Sequence, residues 1–273
     1  MARPPLSKDT TLCISLAARP SNIGTRFHNY LYEQLGIDFV YKAFTTTDIA
    51  AAIGGVRALG IRGCSVSMPF KADVLELVDE IEESARAIHA VNTIVNDDGV
   101  LTASNTDYIA IERLIAEHRL DPGQTVLIHG SGGMAGAVGS AFRDSGFGNG
   151  VVVARNEIAG PELAERLGYH WRPHIGGTSA SIVVNVTPVG MAGGPGEHDS
   201  PFPADVIARA DTVFDVVALP SETPLIAAAR AVGKPVITGA EVIALQAAEQ
   251  FERYTGVRPT PEQIAEASAV SRA

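Results

Sequence analysis

The sequence predicts an α/β fold. Three observations carry that expectation. Short, wholly apolar runs alternate with segments patterned as helices, as expected for parallel strands covered on both faces. A glycine string, "GSGGMA" (130–135), stands between one such run and a helix of small residues. The 273 residues are 46% hydrophobic, which is enough to build a packed core and speaks against global disorder.

The elements follow in order. "TLCISLA" (11–17) reads as a strand. "GTRFHNYLYEQLG" (24–36) places Phe27, Leu31 and Leu35 at helical spacing and ends on Gly36. "DFVYKAF" (38–44) is a strand, 47–59 a helix, and "IRGCSVSM" (61–68) a strand again. Residues 70–89 read as helical, followed by the strands "VNTIV" and "VLTAS" paired across the turn "NDDG". A helix is expected near 107–119. A strand, glycine turn and helix follow over 125–146, then a buried strand, "GVVVAR" (150–155). "SIVVNVT" (181–187), "TVFDVV" (212–217) and "PVIT" (235–238) are further strands with helices between them. The stretch 190–203 has loop composition. Helices close the chain over 240–254 and about 260–268.

Composition excludes several classes of function. The formal net charge is -10 with no basic run to offset it, so a nucleic acid partner is not expected. No apolar stretch approaches the length of a membrane span, and "MARPPLSKDT" lacks the apolar core of a signal peptide. A soluble, cytoplasmic protein is therefore expected. The two cysteines, Cys13 and Cys64, belong to no Cys/His cluster, so they read as reduced core residues and no metal site is expected.

The glycine string fits G-x-G-x-x-A. Gly130 permits the tight turn, Gly132 lets the backbone approach a pyrophosphate, and Ala135 lets helix and strand pack closely. Free N–H groups and the helix dipole would face the phosphates. The next strand ends at Arg155, where an acidic residue would suit the ribose hydroxyls of NAD. A guanidinium suits a 2′-phosphate, so NADP is expected, with Glu157 keeping NAD open.

"SVSMPFK" (65–71) ends in one of only four lysines; the other basic residues are arginines. A lysine can exchange its proton where its surroundings allow, and an arginine cannot. By position alone, Lys71 reads as a solvated lysine on a first helical turn. Asp107 likewise reads as a helix cap.

Taken together, "SMPFK", "AVNTI", "NTD", "GSGGMA", "TPVGM", "DVVALP…TPLI" and "ALQAAEQF" resemble the shikimate dehydrogenase family in order and spacing, over almost the whole chain. The resemblance implies two domains. Residues 1–105 with 240–273 would form an α/β substrate domain, and 106–239 a Rossmann-type NADP domain, with the active site in the cleft between them. It implies Lys71 as the catalytic lysine and Asp107 as its partner. Ser67, Asn92 and Gln246 would be substrate ligands, and Gly130, Ser131, Gly132, Gly133, Met134, Ala135, Arg155, Thr187, Val189, Val217 and Gly239 would line the cofactor site. The implied reaction is the reversible reduction of 3-dehydroshikimate by NADPH, with a small-molecule substrate and a monomer or homodimer.

Two places depart from the family pattern. Where the family clamps a carboxylate with two serines, registering on His28-Asn29 puts Asn22 and Gly24. Losing a hydrogen bond to a charged carboxylate costs about 1.5–3 kcal/mol, or roughly ten- to hundredfold in affinity. In "VVALP", Ala218 and Leu219 stand where a tyrosine and an asparagine are common. The expectation is therefore a shikimate-dehydrogenase-like paralogue with weak shikimate activity. A dehydrogenase of quinate or another ring hydroxy or amino acid is one alternative, and a non-catalytic, nucleotide-binding regulatory protein is another.

Overall fold

The computed structural model describes residues 3–272. They divide into two compact units, one running to Thr106 and resuming at Ala244, the other spanning Asp107–Ile243.

The first unit holds a mixed six-stranded sheet. β1 (Thr11–Ala17) runs parallel to β2 (Phe39–Thr45) on one side and to β3 (Gly63–Val66) on the other. β3 is antiparallel to β5 (Thr93–Asp97), β5 is antiparallel to β6 (Val100–Ser104), and the two-residue β4 (Glu80–Ile81) closes that edge. The strand order is β2-β1-β3-β5-β6-β4. Alternation along β1 sends Ile14 and Leu16 into one apolar cluster with Cys64, Val66, Phe70 and Ile94. Cys13 joins a second cluster with Phe27, Leu31, Tyr32 and Tyr41 from α1 (Ile23–Leu35) and β2, and Phe251 and Tyr254 from α9 (Gly239–Thr255). The two cysteines thus occupy opposite faces of the sheet, both fully buried.

The expectation of a helix over 70–89 is corrected. The segment contains a single 3-10 turn at Asp73–Glu76, the short β4, and the four-residue α3 (Glu83–Arg86). Asp79 accounts for the break. Its N–H donates to the Leu101 carbonyl (3.0 Å), and its carboxylate accepts from Leu101 N–H (2.7 Å) and from Arg57 of α2 (Ile49–Ala58) (2.6 Å). That bonding to the neighbouring strand draws the chain into β pairing that local periodicity does not reveal.

The second unit holds a wholly parallel sheet of β7 (Val126–His129), β8 (Gly150–Val153), β9 (His170–Arg172), β10 (Ile182–Asn185), β11 (Thr212–Asp215) and β12 (Val236–Thr238). Its strand order is β12-β11-β10-β7-β8-β9. β9 is missing from the sequence reading: three residues with two exposed polar side chains carry no apolar signature. The helices are α4 (Thr106–Glu117), α5 (Gly133–Asp144), α6 (Ala159–Leu167), α7 (Ala204–Arg209) and α8 (Pro224–Ala231), with α10 (Pro261–Arg272) returning to the first unit. α4 begins one residue earlier than expected, so Asp107 lies inside its first turn rather than ahead of it. Strand order reverses where β7, the first strand of the unit, meets β10. This is the topological switch at which α/β sheets bind ligands outside the strands' carboxyl ends.

Candidate active site

In the first unit, the carboxyl end of β3 leads into Ser67, a cis Met68–Pro69 bond, buried Phe70 and half-buried Lys71. Ser67 N–H donates to the Leu16 carbonyl (2.9 Å), and the Lys71 carbonyl accepts from Val91 N–H (2.7 Å). The lysine segment is thereby fastened to the residue preceding Asn92, while the Asn92 carbonyl accepts from Val66 N–H (2.8 Å). Lys71 and Asn92 therefore share one edge of the sheet.

Asn92 is held rigidly. Its Oδ1 accepts from Thr93 Oγ1 (2.8 Å), Thr106 N–H (2.8 Å) and Thr106 Oγ1 (3.1 Å). Its Nδ2 is buried with no hydrogen-bond partner among the described residues. A buried donor left unpaired is costly, and its natural complement is an acceptor on a ligand. Gln250 donates to the Asn92 carbonyl (3.2 Å) and to Thr93 Oγ1 (3.0 Å). The family motif singles out Gln246 in the sequence and not Gln250. The signal for Gln250 is its spacing of four residues from Gln246 on α9, which puts both amides on one helix face. Gln246 itself is half-buried.

Asn22 and Gly24 stand at the start of α1. Asn22 is exposed, and its side chain makes no capping bond, although its carbonyl accepts from Arg26 N–H (2.9 Å). A Cβ on Gly24 would lie 3.6 Å from the Tyr41 hydroxyl, an ordinary contact, so packing does not demand glycine there. His28, used only to set the register, is fully buried. Its ring stacks on Tyr41 at 4.4 Å, and burial lowers its pKa to about 3, opposed by nearby Gln250.

In the second unit, Gly130 follows β7 at φ 128, a conformation that favours glycine. A Cβ there would also sit 2.7 Å from Val186 Cγ2. Ser131 is half-buried, and Gly132 caps α5 without any side-chain bond. A Cβ on Gly132 or Gly133 would meet nothing within 4 Å, so these two glycines are not demanded by packing. They leave the first N–H groups of α5 open to approach. Met134 is half-buried, and Ala135 is fully buried beneath. Arg155 is exposed just past β8, and its charge adds to burial in lowering the pKa of His129 at the end of β7. An approachable helix N-terminus beside an exposed guanidinium fits a phosphorylated dinucleotide. Thr187 and Val189 follow β10, Val217 follows β11, and Gly239 follows β12, all on the same carboxyl edge.

Residues 22–94 match the model of the shikimate dehydrogenase substrate-binding domain. The chain is 57% identical over 267 residues to a shikimate dehydrogenase-like protein of Haemophilus influenzae, covering 98% of each. The chain belongs to the shikimate dehydrogenase family. Two solved structures share its fold. Shikimate 5-dehydrogenase from Thermus thermophilus, in complex with NADP(H) and shikimate, superposes with a TM-score of 0.84 at 27% identity, over 96% of this chain and 99% of that one. Quinate dehydrogenase from Corynebacterium glutamicum, in complex with NAD, gives 0.86 at 26% identity, over 96% and 98%. The α/β fold with a Rossmann-type domain, expected from the sequence, is thus the family's.

Proposed function

We propose that the chain is an NADP-dependent oxidoreductase of the shikimate dehydrogenase type, interconverting 3-dehydroshikimate and shikimate weakly. The observation that carries this reading is the buried, unpaired Nδ2 of Asn92 on the sheet edge it shares with Lys71. A fixed donor beside an acid–base residue suits a polyhydroxylated ring whose hydroxyl it can bind. When bound, the dinucleotide supplies hydride to the carbonyl carbon. Lys71 gives the proton to the carbonyl oxygen in reduction and accepts the hydroxyl proton in oxidation. Asp107 orients the amine. Ser67, Asn92 and Gln246 hold the ring, with Asn22 and Gly24 at its carboxylate end. The open backbone at Gly132 and Gly133 receives the pyrophosphate, and Arg155 receives the 2′-phosphate.

The altered carboxylate end favours a second reading within the same chemistry, in which quinate or another ring hydroxy or amino acid is the preferred substrate. Initial rates with shikimate and quinate, each with NADP and NAD, test both readings. The expected result is NADP-linked turnover of a ring hydroxy acid, a high KM for shikimate, and a loss of about 10²–10⁴-fold in Lys71→Ala. A Gly24→Ser, Asn22→Ser variant with lowered shikimate KM supports the first reading; an unchanged KM supports the second. Robust turnover at micromolar shikimate refutes the altered clamp. Activity unchanged in Lys71→Ala refutes the catalytic assignment.

A further inference from the structure

Asn185 and Asp215 are fully buried, end adjacent strands of the second sheet, and are partners in register. Asp215 Oδ1 accepts from Asn185 Nδ2 (2.9 Å) and Val217 N–H (3.1 Å), and its Oδ2 accepts from Thr223 Oγ1 (2.6 Å). Asn185 Oδ1 accepts from Thr187 N–H (3.0 Å) and Thr187 Oγ1 (2.6 Å). Asn185 Nδ2 also approaches the Val189 carbonyl at 3.3 Å. Thr223 in turn caps α8 by accepting from Ile226 N–H (3.2 Å). One side-chain pair therefore fixes the loop 186–191, the loop 216–223 and the start of α8.

Burying a carboxyl group is expensive, and desolvation raises the pKa of Asp215 against the pull of its three donors. Two apolar residues would close the strand ends at lower cost. What the polar pair adds is direction: each bond aims a particular loop atom. The neighbours restrict the same loops. Gly130 backs onto Val186 and Thr187, and a Cβ on Gly239 would lie 2.4 Å from the Val217 carbonyl carbon. Ala192 N–H donates to the Leu219 carbonyl (2.9 Å), joining the two loops.

Strand order decides which part of a ligand these loops meet. A dinucleotide lies across the switch point, with its pyrophosphate at the glycine turn. Arg155, after β8, marks the adenosine side. β10 and β11 lie on the other side of β7. We propose that Asn185 and Asp215 are positioning residues that set these two loops to receive the nicotinamide half of the dinucleotide. The proposal rests on the NADP reading above.

The test compares two ligands on the full chain by calorimetry: NADPH, and adenosine 2′,5′-bisphosphate, which lacks the nicotinamide half. Thr223→Val removes the hydroxyl bonded to Asp215 at nearly constant volume; Thr223→Ser keeps it. The expected result for Thr223→Val is NADPH binding weakened tenfold or more, with the bisphosphate within twofold of wild type and Thr223→Ser close to wild type for both. If Thr223→Val does not fold, Asp215→Asn carries the same expected split. Parallel weakening of both ligands, or no change in either, overturns the positioning role. A wild type that binds neither ligand overturns the NADP reading and this proposal with it. Wild type that binds both, with variants that do not separate them, overturns this proposal alone.

Discussion

His28 should govern much of the first unit's response to acid. Its ring is fully buried, and among the described residues neither nitrogen meets a partner at hydrogen-bond geometry. The rings packed around it are Phe27, Tyr32, Tyr41, Phe251 and Tyr254, and the Gln250 amide lies near and opposes the burial effect; none of these groups is charged at neutral pH. Burial lowers its pKa from an ordinary 6.5 to about 3. In the folded chain the ring stays neutral down to that value, while in the unfolded chain it takes a proton below 6.5. The unfolded state therefore binds more protons throughout this window, and stability falls as pH falls through it. Each pH unit in the window costs about 1.4 kcal/mol, so roughly 3 kcal/mol is lost by pH 4.5 and about 5 kcal/mol across the whole interval. That is a large share of the about 5–15 kcal/mol by which domains are stable. His28→Phe keeps an aromatic ring between Tyr41 and Phe251 and removes the titration; His28→Leu is the smaller alternative. Urea unfolding followed by circular dichroism at pH 7, 6, 5 and 4.5 measures the difference between wild type and variant. That difference should move by about 3 kcal/mol in the variant's favour between pH 7 and 4.5. A difference that stays constant over this range refutes the reasoning.

Two further outcomes are expected. Arg155→Ser should weaken NADPH binding about ten- to hundredfold, as expected for losing a charge-assisted contact, and leave NADH nearly unchanged; equal effects on both, measured by fluorescence titration, would contradict its assignment to the 2′-phosphate. Burial pushes the Cys13 thiol up to about 12 and raises Cys64 as well, so neither should react with a disulfide reagent at pH 8 until the chain unfolds. A thiol titrated within minutes in the native protein would contradict this.

Most of the architecture was legible because it rests on local signals. The apolar strands, the glycine turn and the helix ending at Gly36 each state their structure within a dozen residues. Over 70–89 this failed, because Asp79 answers to Leu101 and Arg57 rather than to its neighbours in the chain. β9 failed for a related reason: His170–Arg172 becomes a strand only by pairing with β8. The site divides the same way. Lys71, Asn92 and Arg155 stand out by type and motif. Gln250, Thr93 and Thr106 bond to Asn92, and Asp215 bonds to Thr223 and Asn185. Such supporting residues become visible only when hydrogen bonds can be followed between distant segments.

The glycines of the turn after β7 differ in what they serve. Gly130 is pinned by Val186 and by its backbone, so altering it disturbs the scaffold. Gly132 and Gly133 face open space, and Gly132 has a backbone that any residue can adopt. Alanine at those two positions leaves the interior untouched while crowding the approach to α5. On the proposed function, the fold thus offers a way to uncouple ligand recognition from foldedness: a chain blind to dinucleotide yet intact, against which every binding measurement on the unaltered protein can be referenced.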